Sequence, residues 1–408
     1  MPADLAVIGL GHLGLPLAQA AVAARIETIG YHPGPGHPEP AGGVTAADVR
    51  RMLSAGFRTV TDPAELGRVR TAVICAPTPP GPDGGPDLTA LADAARTLAA
   101  RLRPYTTVIL ESAVPPGTTE EFLRPLLEEG SGLRAGRDFH LAYSPSRTDP
   151  GNRDHHYANT PKVIGGLTPA CTESAAAFYG RLTEKVVRAR GLREAETVKV
   201  LETNFRHVNT ALVNEMAVLC HTLGVDLWDV IRCAETKPFG FQAFRPGPGV
   251  GGHGVALDPG GLPPAGGSLR MVGLAQDINS RMPQYVIQRC ATLLNEHGKS
   301  ARGARVLLLG VTYKPDLPDL QGSPATEIAR RLRDMGAAVS YHDPHVPDWR
   351  VHDLPVPRAD SLYEAAASAD LTVLLQNHRT YDLQGLAVKA QLLLDTRGTT
   401  PVGAAHRL

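Results

Sequence analysis

The sequence predicts an α/β protein: two α/β domains with doubly wound sheets, joined by a long-helix central domain. Three observations predict it. Short apolar runs alternate with helix-spaced runs over roughly the first 185 residues. From Arg193 to about His297 the apolar spacing is helical throughout. A second strand–helix alternation begins at Arg305. The division read from these patterns is 1–190, 191–300 and 301–408. A chain of 408 residues also exceeds one ordinary core.

The elements follow in order. Leu5 to Gly11 (LAVIGLG) reads as a buried strand entering a glycine turn, and HLGLPLAQAAVAAR reads as a helix. Ile26 to His32 (IETIGYH) reads as the next strand, completing a β-α-β unit. PGPGHPEPAGG is too rich in Pro and Gly for either element. Thr71 to Pro77 and Thr106 to Ser112 are further strands, with a helix between them capped by Asp87. FHLAYSP and PKVIGG give two more, and the alternation implies a parallel sheet. In the middle, AETVKVLETNFRHVNTALVNEMAVLCHTLG is the clearest helix. Arg305 to Val311 (RVLLLGV), SPATEIARRLRDMG, AAVSYHD and ADLTVLLQ make the last β-α-β domain.

Composition removes several classes. Lys+Arg and Asp+Glu both number 41, so no charge footprint for nucleic acid exists. Cys75, Cys171, Cys220, Cys233 and Cys290 are scattered, without a CxxC pair. That pattern argues for a reduced, cytoplasmic chain with mostly buried thiols; Cys233 and Cys290 read as helix-core residues, and no metal is expected. The apolar N-terminus has no basic flank and no run is long enough to span a membrane, so neither a leader nor a membrane partner is expected.

Gly9-Leu10-Gly11-His12-Leu13-Gly14 is a GxGxxG between a strand and a helix. In that context the glycines permit a tight turn and let a pyrophosphate approach the helix N-terminus, so a nicotinamide dinucleotide is expected here. An acid is expected at the end of the second strand for the ribose hydroxyls. His32 stands there, 18 residues after Gly14. Three readings stay open: a solvated loop histidine, tolerance of a 2′-phosphate (NADP beside NAD), or weakened cofactor binding.

The chain then resembles a known family. TAVICAPTPPGPDGGPDL, ILESAVPPGTTEE, LAYSPSRTDPGN, KVLETNFRHVNTALVNEMAVLC, PGPGVGGHGVALDP and LLLGVTYKPDLPDLQGSPATEIA run in the order of the UDP-glucose/GDP-mannose dehydrogenase family. The branch that oxidises UDP-N-acetylhexosamines to uronic acids is most similar. The resemblance implies two Rossmann-like domains, NAD, a UDP-sugar and a homodimer built on the central helix. It also implies a double oxidation. A C6 alcohol gives up one hydride, a cysteine captures the aldehyde, the adduct gives up a second hydride, and the thioester is hydrolysed. The adduct matters because a free aldehyde has no anionic oxygen to expel the second hydride.

Carried over position by position, the site is altered. Gly254 stands where the family has that cysteine, after Gly252 and His253. Ser146 replaces the glutamate of thioester hydrolysis, and Ala113 the threonine that holds water. Thr203 replaces the asparagine one helical turn after the retained Lys199. Gln321 replaces an arginine near cofactor and substrate, and Gly260 and Gly261 replace two tyrosines. Asp258 is retained. The resemblance thus assigns Lys199, Asp258 and Thr203 to catalysis. It assigns Gly9, Gly11, His12, Leu13, Gly14, His32, Pro77, Thr78 and Ser112 to the cofactor. It assigns Arg147, Lys199, Gly249, Gly251, Gly252, His253 and Lys314 to the sugar nucleotide. Lys199 and Asp258 can alternatively be a solvated lysine and a loop cap.

The pattern of loss implies a nucleotide-sugar oxidoreductase without covalent thiol catalysis. It would perform one two-electron oxidation or a redox-neutral conversion. The alternatives are a non-catalytic nucleotide-sugar-binding homologue and, ranked lower, a full four-electron dehydrogenase.

Overall fold

The computed structural model describes residues 3–34, 38–79, 81, 85–152, 154–251 and 269–408. The described chain forms two compact units, dividing after Thr203.

The first unit opens with β1 (Leu5–Ile8), α1 (Gly14–Ala23), β2 (Thr28–Tyr31), α2 (Ala46–Ser54) and β3 (Arg58–Val60). β4 (Thr71–Ile74), α3 (Thr89–Ala99), β5 (Thr107–Leu110), α4 (Arg124–Ser131) and β6 (His140–Tyr143) continue it. It ends with β7 (Lys162–Gly166), α5 (Pro169–Tyr179) and β8 (Val186–Arg188). Local signals explain several helix starts. Thr45 and Asp48 form a capping box before α2, and the Thr168 hydroxyl caps α5. Leu88 takes the N-cap position of α3, and Asp87, the expected cap, lies one residue earlier and accepts from the Thr89 N–H at 2.9 Å. The strands order as β3-β2-β1-β4-β5-β6-β7-β8. β1, β2, β4 and β5 are buried along their length, so their sequences read as continuous apolar runs rather than alternating ones.

The expectation of a wholly parallel sheet is corrected at one pairing, which reverses β7 and, parallel to it, β8. β7, the PKVIGG run, pairs antiparallel with β6, with Tyr143 opposite Gly165. The described residues between β6 and β7 contain no helix to carry the chain back across the sheet face, as a parallel connection requires.

α6 (Leu192–Leu223) begins in the first unit, and the division falls within it. α7 (Leu227–Ala234) and α8 (Arg270–Glu296) belong to the second unit. There follow β9 (Arg305–Leu309), α9 (Pro324–Asp334), β10 (Ala338–His342), β11 (Arg350–Val351) and β12 (Leu354–Pro355). α10 (Leu362–Ser368), β13 (Leu371–Leu374), α11 (Leu383–Lys389), β14 (Leu393–Asp395) and β15 (His406–Arg407) close the chain. A parallel sheet of order β10-β9-β13-β14-β15 is packed by α8 and α9 on one side and α10 and α11 on the other. β11 and β12 form a separate antiparallel pair. The fold is therefore α/β, with two doubly wound sheets and long central helices, as the sequence predicts.

Candidate functional site

The glycine turn sits at the carboxyl end of β1. Gly9 adopts φ +95°, and a Cβ there would lie 2.8 Å from the Cys75 carbonyl oxygen. A Cβ on Gly14 would overlap the Gly9 carbonyl oxygen, so this glycine lets α1 close onto the strand. A Cβ on Gly11 would meet nothing within 4 Å. That combination, two closed glycines and one open one, leaves backbone accessible where a pyrophosphate would lie. No side chain caps α1 and no acid occupies its first turn; the Leu15 N–H turns back to the Gly11 carbonyl at 3.1 Å and Pro16 has no N–H, so an anion here would meet the backbone of the turn that precedes Leu15. Leu13 takes the N-cap position. His12 is exposed and its Nδ1 accepts from the Gly42 N–H at 3.3 Å, tying the turn to the following loop. The residues present fit a dinucleotide.

His32 follows β2, exposed, with its N–H on the Val60 carbonyl. Its Nδ1 accepts from the Gly34 N–H at 3.0 Å. Pro77 is exposed beyond β4. Thr78 donates its hydroxyl to the Ala113 carbonyl at 2.7 Å, and fully buried Ser112 donates to the Ala76 carbonyl at 2.7 Å. These two hydroxyls brace the β4 and β5 ends against each other. Beside them Glu111 and Lys162 form a buried ion pair at 2.7 Å, and Tyr157 and Tyr179 donate to the same carboxylate. The Cys75 thiol lies in this surround, and burial, then the Glu111 charge, push its pKa well up. It is no substitute nucleophile.

Lys199 and Thr203 lie one turn apart on α6, both half-buried. The Lys199 Nζ donates to the Ser146 carbonyl at 2.9 Å. Ser146 is buried and its hydroxyl lies 3.3 Å from that of Thr148. Arg147 donates to the Pro161 carbonyl at 2.7 Å and pairs with Glu202 at 2.7 Å. α6 is anchored here by Glu196, fully buried, which accepts from the Thr119 N–H and hydroxyl. Burial raises the Glu196 pKa against these hydrogen bonds. An isolated acid within a helical run gave no signal of that role.

In the second unit, the PGPGVG stretch, residues 246–251, is seated by backbone and amide contacts. The Gly247 N–H donates to Asn214 on α6, whose amide donates to Asn279 on α8. Gly249 lies against Pro283 and Pro324, and a Cβ on Gly251 would overlap the Gly322 carbonyl oxygen. Asn214 and Asn279 were missed by sequence reasoning; their signal was a polar residue at a buried helix position. Lys314 lies in the loop after β9. Gln321 is exposed before α9. Gly252, His253, Gly254, Asp258, Gly260 and Gly261 lie outside the described residues.

Four of the five cysteines are buried, as expected. Cys233 corrects the expectation: it is exposed on α7, whose apolar face is formed by Leu227, Trp228 and Ile231. Asp316, His345 and His378 each bring a ligand-type atom within 4.8 Å of the others. His378 Nδ1 accepts from the Asp316 N–H and its Nε2 faces Asp343 at 3.0 Å, so both nitrogens are engaged in a hydrogen-bonded brace. Among the described residues, no helix is long and apolar enough to cross a membrane.

A dinucleotide-type glycine turn on one α/β unit, with a second α/β unit following a long helix, fits a dinucleotide-dependent protein of the two-domain kind. The chain belongs to the UDP-glucose/GDP-mannose dehydrogenase family. Its residues 47–183 match the family's NAD binding domain, 193–281 its central domain and 307–401 its UDP binding domain. NAD is accordingly the cofactor. The chain is similar to the UDP-N-acetyl-D-mannosamine dehydrogenase of Escherichia coli K12, 32% identical over 97% of this chain and 99% of that one. It is 33% identical to the UDP-N-acetyl-D-glucosamine 6-dehydrogenase of Pseudomonas aeruginosa, over 84% and 83%. Among solved structures, the UDP-D-ManNAc dehydrogenase of Pyrococcus horikoshii superposes with TM-score 0.86 at 30% identity, covering 99% and 98%.

Proposed function

We propose that this protein is an NAD-dependent oxidoreductase of a UDP-hexose-type nucleotide sugar that works without a thiol intermediate and stops after two electrons. The observation that carries the reading is the state of Lys199. It is retained on α6, and its ammonium is held on the carbonyl of Ser146, the residue standing in place of the hydrolytic acid. Gly254 offers no nucleophile and Ala113 no hydroxyl.

The chemistry then balances as one alcohol oxidation. NAD, when bound, supplies the hydride acceptor. Gly9, Gly11, His12, Leu13 and Gly14 would hold its pyrophosphate side, His32 would stand on its ribose side, and Pro77, Thr78 and Ser112 would shape the rest of its site. Lys199 stabilises the alkoxide formed as the sugar hydroxyl loses its proton, with Thr203 on the same helix face and Asp258 as proton acceptor. Loss of hydride from that alkoxide leaves a carbonyl. With no thiol to capture it, no adduct forms to expel a second hydride. Gly249, Gly251, Gly252, His253, Arg147 and Lys314 are assigned to the nucleotide sugar. His32 leaves NADP as an alternative cofactor, and a titration of both ranks them.

The domains of this reading are 1–190 for the dinucleotide, 191–300 for the helical middle and 301–408 for the nucleotide. A homodimer is part of it: Phe205, Leu212 and Leu219 are exposed at a spacing of seven on α6, a stripe suited to a partner helix. Leu212→Asp is expected to convert a dimer to a monomer by sedimentation. The buried unpaired thiols fit a reducing, cytoplasmic setting.

Lys199→Met tests the mechanism. Turnover of NAD with the accepted UDP-sugar should fall about 100- to 1,000-fold while both ligands still bind. An unchanged rate sinks the role of Lys199. A wild type that binds UDP-sugars but neither binds nor reduces NAD points instead to a non-catalytic binding protein.

A further inference from the structure

We propose that the helical part of the second unit holds a small oxyanion of the phosphate class, bound by the guanidinium of Arg289. The proposal stands apart from the redox reading above.

Arg289 lies on α8 and is only 7% exposed. Its Nη1 is 2.9 Å from His221 Nε2, and its Nη2 donates to the Arg407 carbonyl at 3.4 Å. An arginine can only donate, so His221 presents a neutral acceptor nitrogen. Burial, then the Arg289 charge, lower the His221 pKa and keep it in that form. The Nε–H is buried with no partner. Among the described residues no carboxylate pairs with this guanidinium; its two partners are an imidazole and a carbonyl. A buried cation left facing neutral acceptors is strongly disfavoured.

The surroundings share the same deficit. Tyr285, one turn earlier on α8, has a buried hydroxyl without a partner, and its ring lies edge-on to His221. Arg407 on β15 has an unpartnered buried Nε. Its other nitrogens reach the Thr400 carbonyl at 2.7 Å and Asp226, the N-cap of α7, at 3.8 Å. Trp228, two residues on, has an unpartnered buried indole N–H. Seven buried polar side-chain atoms among the described residues lack partners, and four of them fall in this neighbourhood. All four can donate and two sit on arginines, of which Arg407 has Asp226 at 3.8 Å and Arg289 has no carboxylate among the described residues. Water could accept from each donor but brings no charge. A phosphate-type oxyanion brings both acceptors and charge, in the fork geometry arginine favours.

The test is thermal melting in inorganic phosphate against chloride of equal ionic strength, using wild type, Arg289→Met and Tyr285→Phe. Phosphate is expected to raise the wild-type Tm in a saturable way. R289M should lose the response, and Y285F should need about fivefold more phosphate, as for one lost hydrogen bond. Y285F removes a single atom, so it keeps the test decisive if R289M does not fold. A nucleoside monophosphate run in parallel separates the sources. A shift dependent on Arg289 with phosphate alone assigns the free ion; one with both assigns any phosphate group. Equal responses in wild type and both variants, which phosphate at the nucleotide site would give, overturn the proposal. So does a wild type with no saturable response.

Discussion

β1 leaves its sheet through Gly9 and enters α1 at Gly14, and no side chain caps that helix. β9 leaves its sheet through Gly310, but the loop that follows is pinned by side chains. Asp343 accepts from the Val311 N–H at 2.8 Å, the Thr312 N–H at 3.3 Å and the His345 N–H at 2.8 Å. His378 bonds Asp343 and also receives the Asp316 N–H, holding Asp316 at φ +60°. The hydrogen bonds of His378 and its neighbours hold the Asp343 pKa low despite its burial. The Ser323 hydroxyl caps α9. The difference is instructive. The first turn has no side chain on its N–H groups, with Gly9 and Leu15 turning theirs to the Tyr31 and Gly11 carbonyls, whereas the second spends its N–H groups on its own carboxylate. In the proposed function, a ligand at the second turn is held by side chains such as Lys314 and by the backbone of residues 246–251.

Three substitutions probe that contrast, in descending order of effect. Gly14→Ala forces a Cβ into the Gly9 carbonyl, and NAD affinity should fall about 100-fold or more through loss of the pyrophosphate cradle, with UDP affinity unchanged. Fluorescence titration with each nucleotide reads this directly. Asp343→Asn points an amide at groups that donate, leaving them unsatisfied. UDP affinity should fall about tenfold with NAD affinity intact, from a cost of roughly 1–3 kcal/mol. If both substitutions weaken both ligands alike, the two turns do not serve separate ligands.

The smallest effect concerns the frame of the second sheet. Asp370 accepts from the Lys299 ammonium and the Arg305 N–H, both at 2.7 Å, and these contacts lower its pKa to about 2. Because the folded pKa lies below the unfolded 3.8, its contribution is present above that pH and is lost as pH falls toward 2. Asp370→Asn should cost about 1–2 kcal/mol at neutral pH, with the gap to wild type closing between pH 4 and 2. Denaturant melts across that range check it.

What the sequence revealed follows the same division. The glycine turn was legible because its conformation is written in adjacent residues. Asp87 was legible at the start of α3 for the same reason, one residue before the N-cap position. The second turn was not, because Val311, Asp343 and His378 meet only after β10 and β13 have folded beside β9. The direction of β7 was hidden too, since PKVIGG reads as a buried strand either way and only its partner decides. Asn214 and Asn279 sit in helices whose apolar spacing says nothing about which polar residue turns inward. Cys233 was misplaced because a cysteine in an amphipathic helix can fall on either face.

The central claim of the proposed function concerns Gly254, Ser146 and Ala113 together: with glycine, serine and alanine in place of the thiol, the acid and the threonine hydroxyl, the site is proposed to stop after the first oxidation. The direct measurement is reduced nicotinamide formed per UDP-sugar consumed, with the sugar product identified by mass. The account predicts no more than one hydride per sugar and no uronic acid. Two hydrides per sugar with a uronic acid product would contradict it.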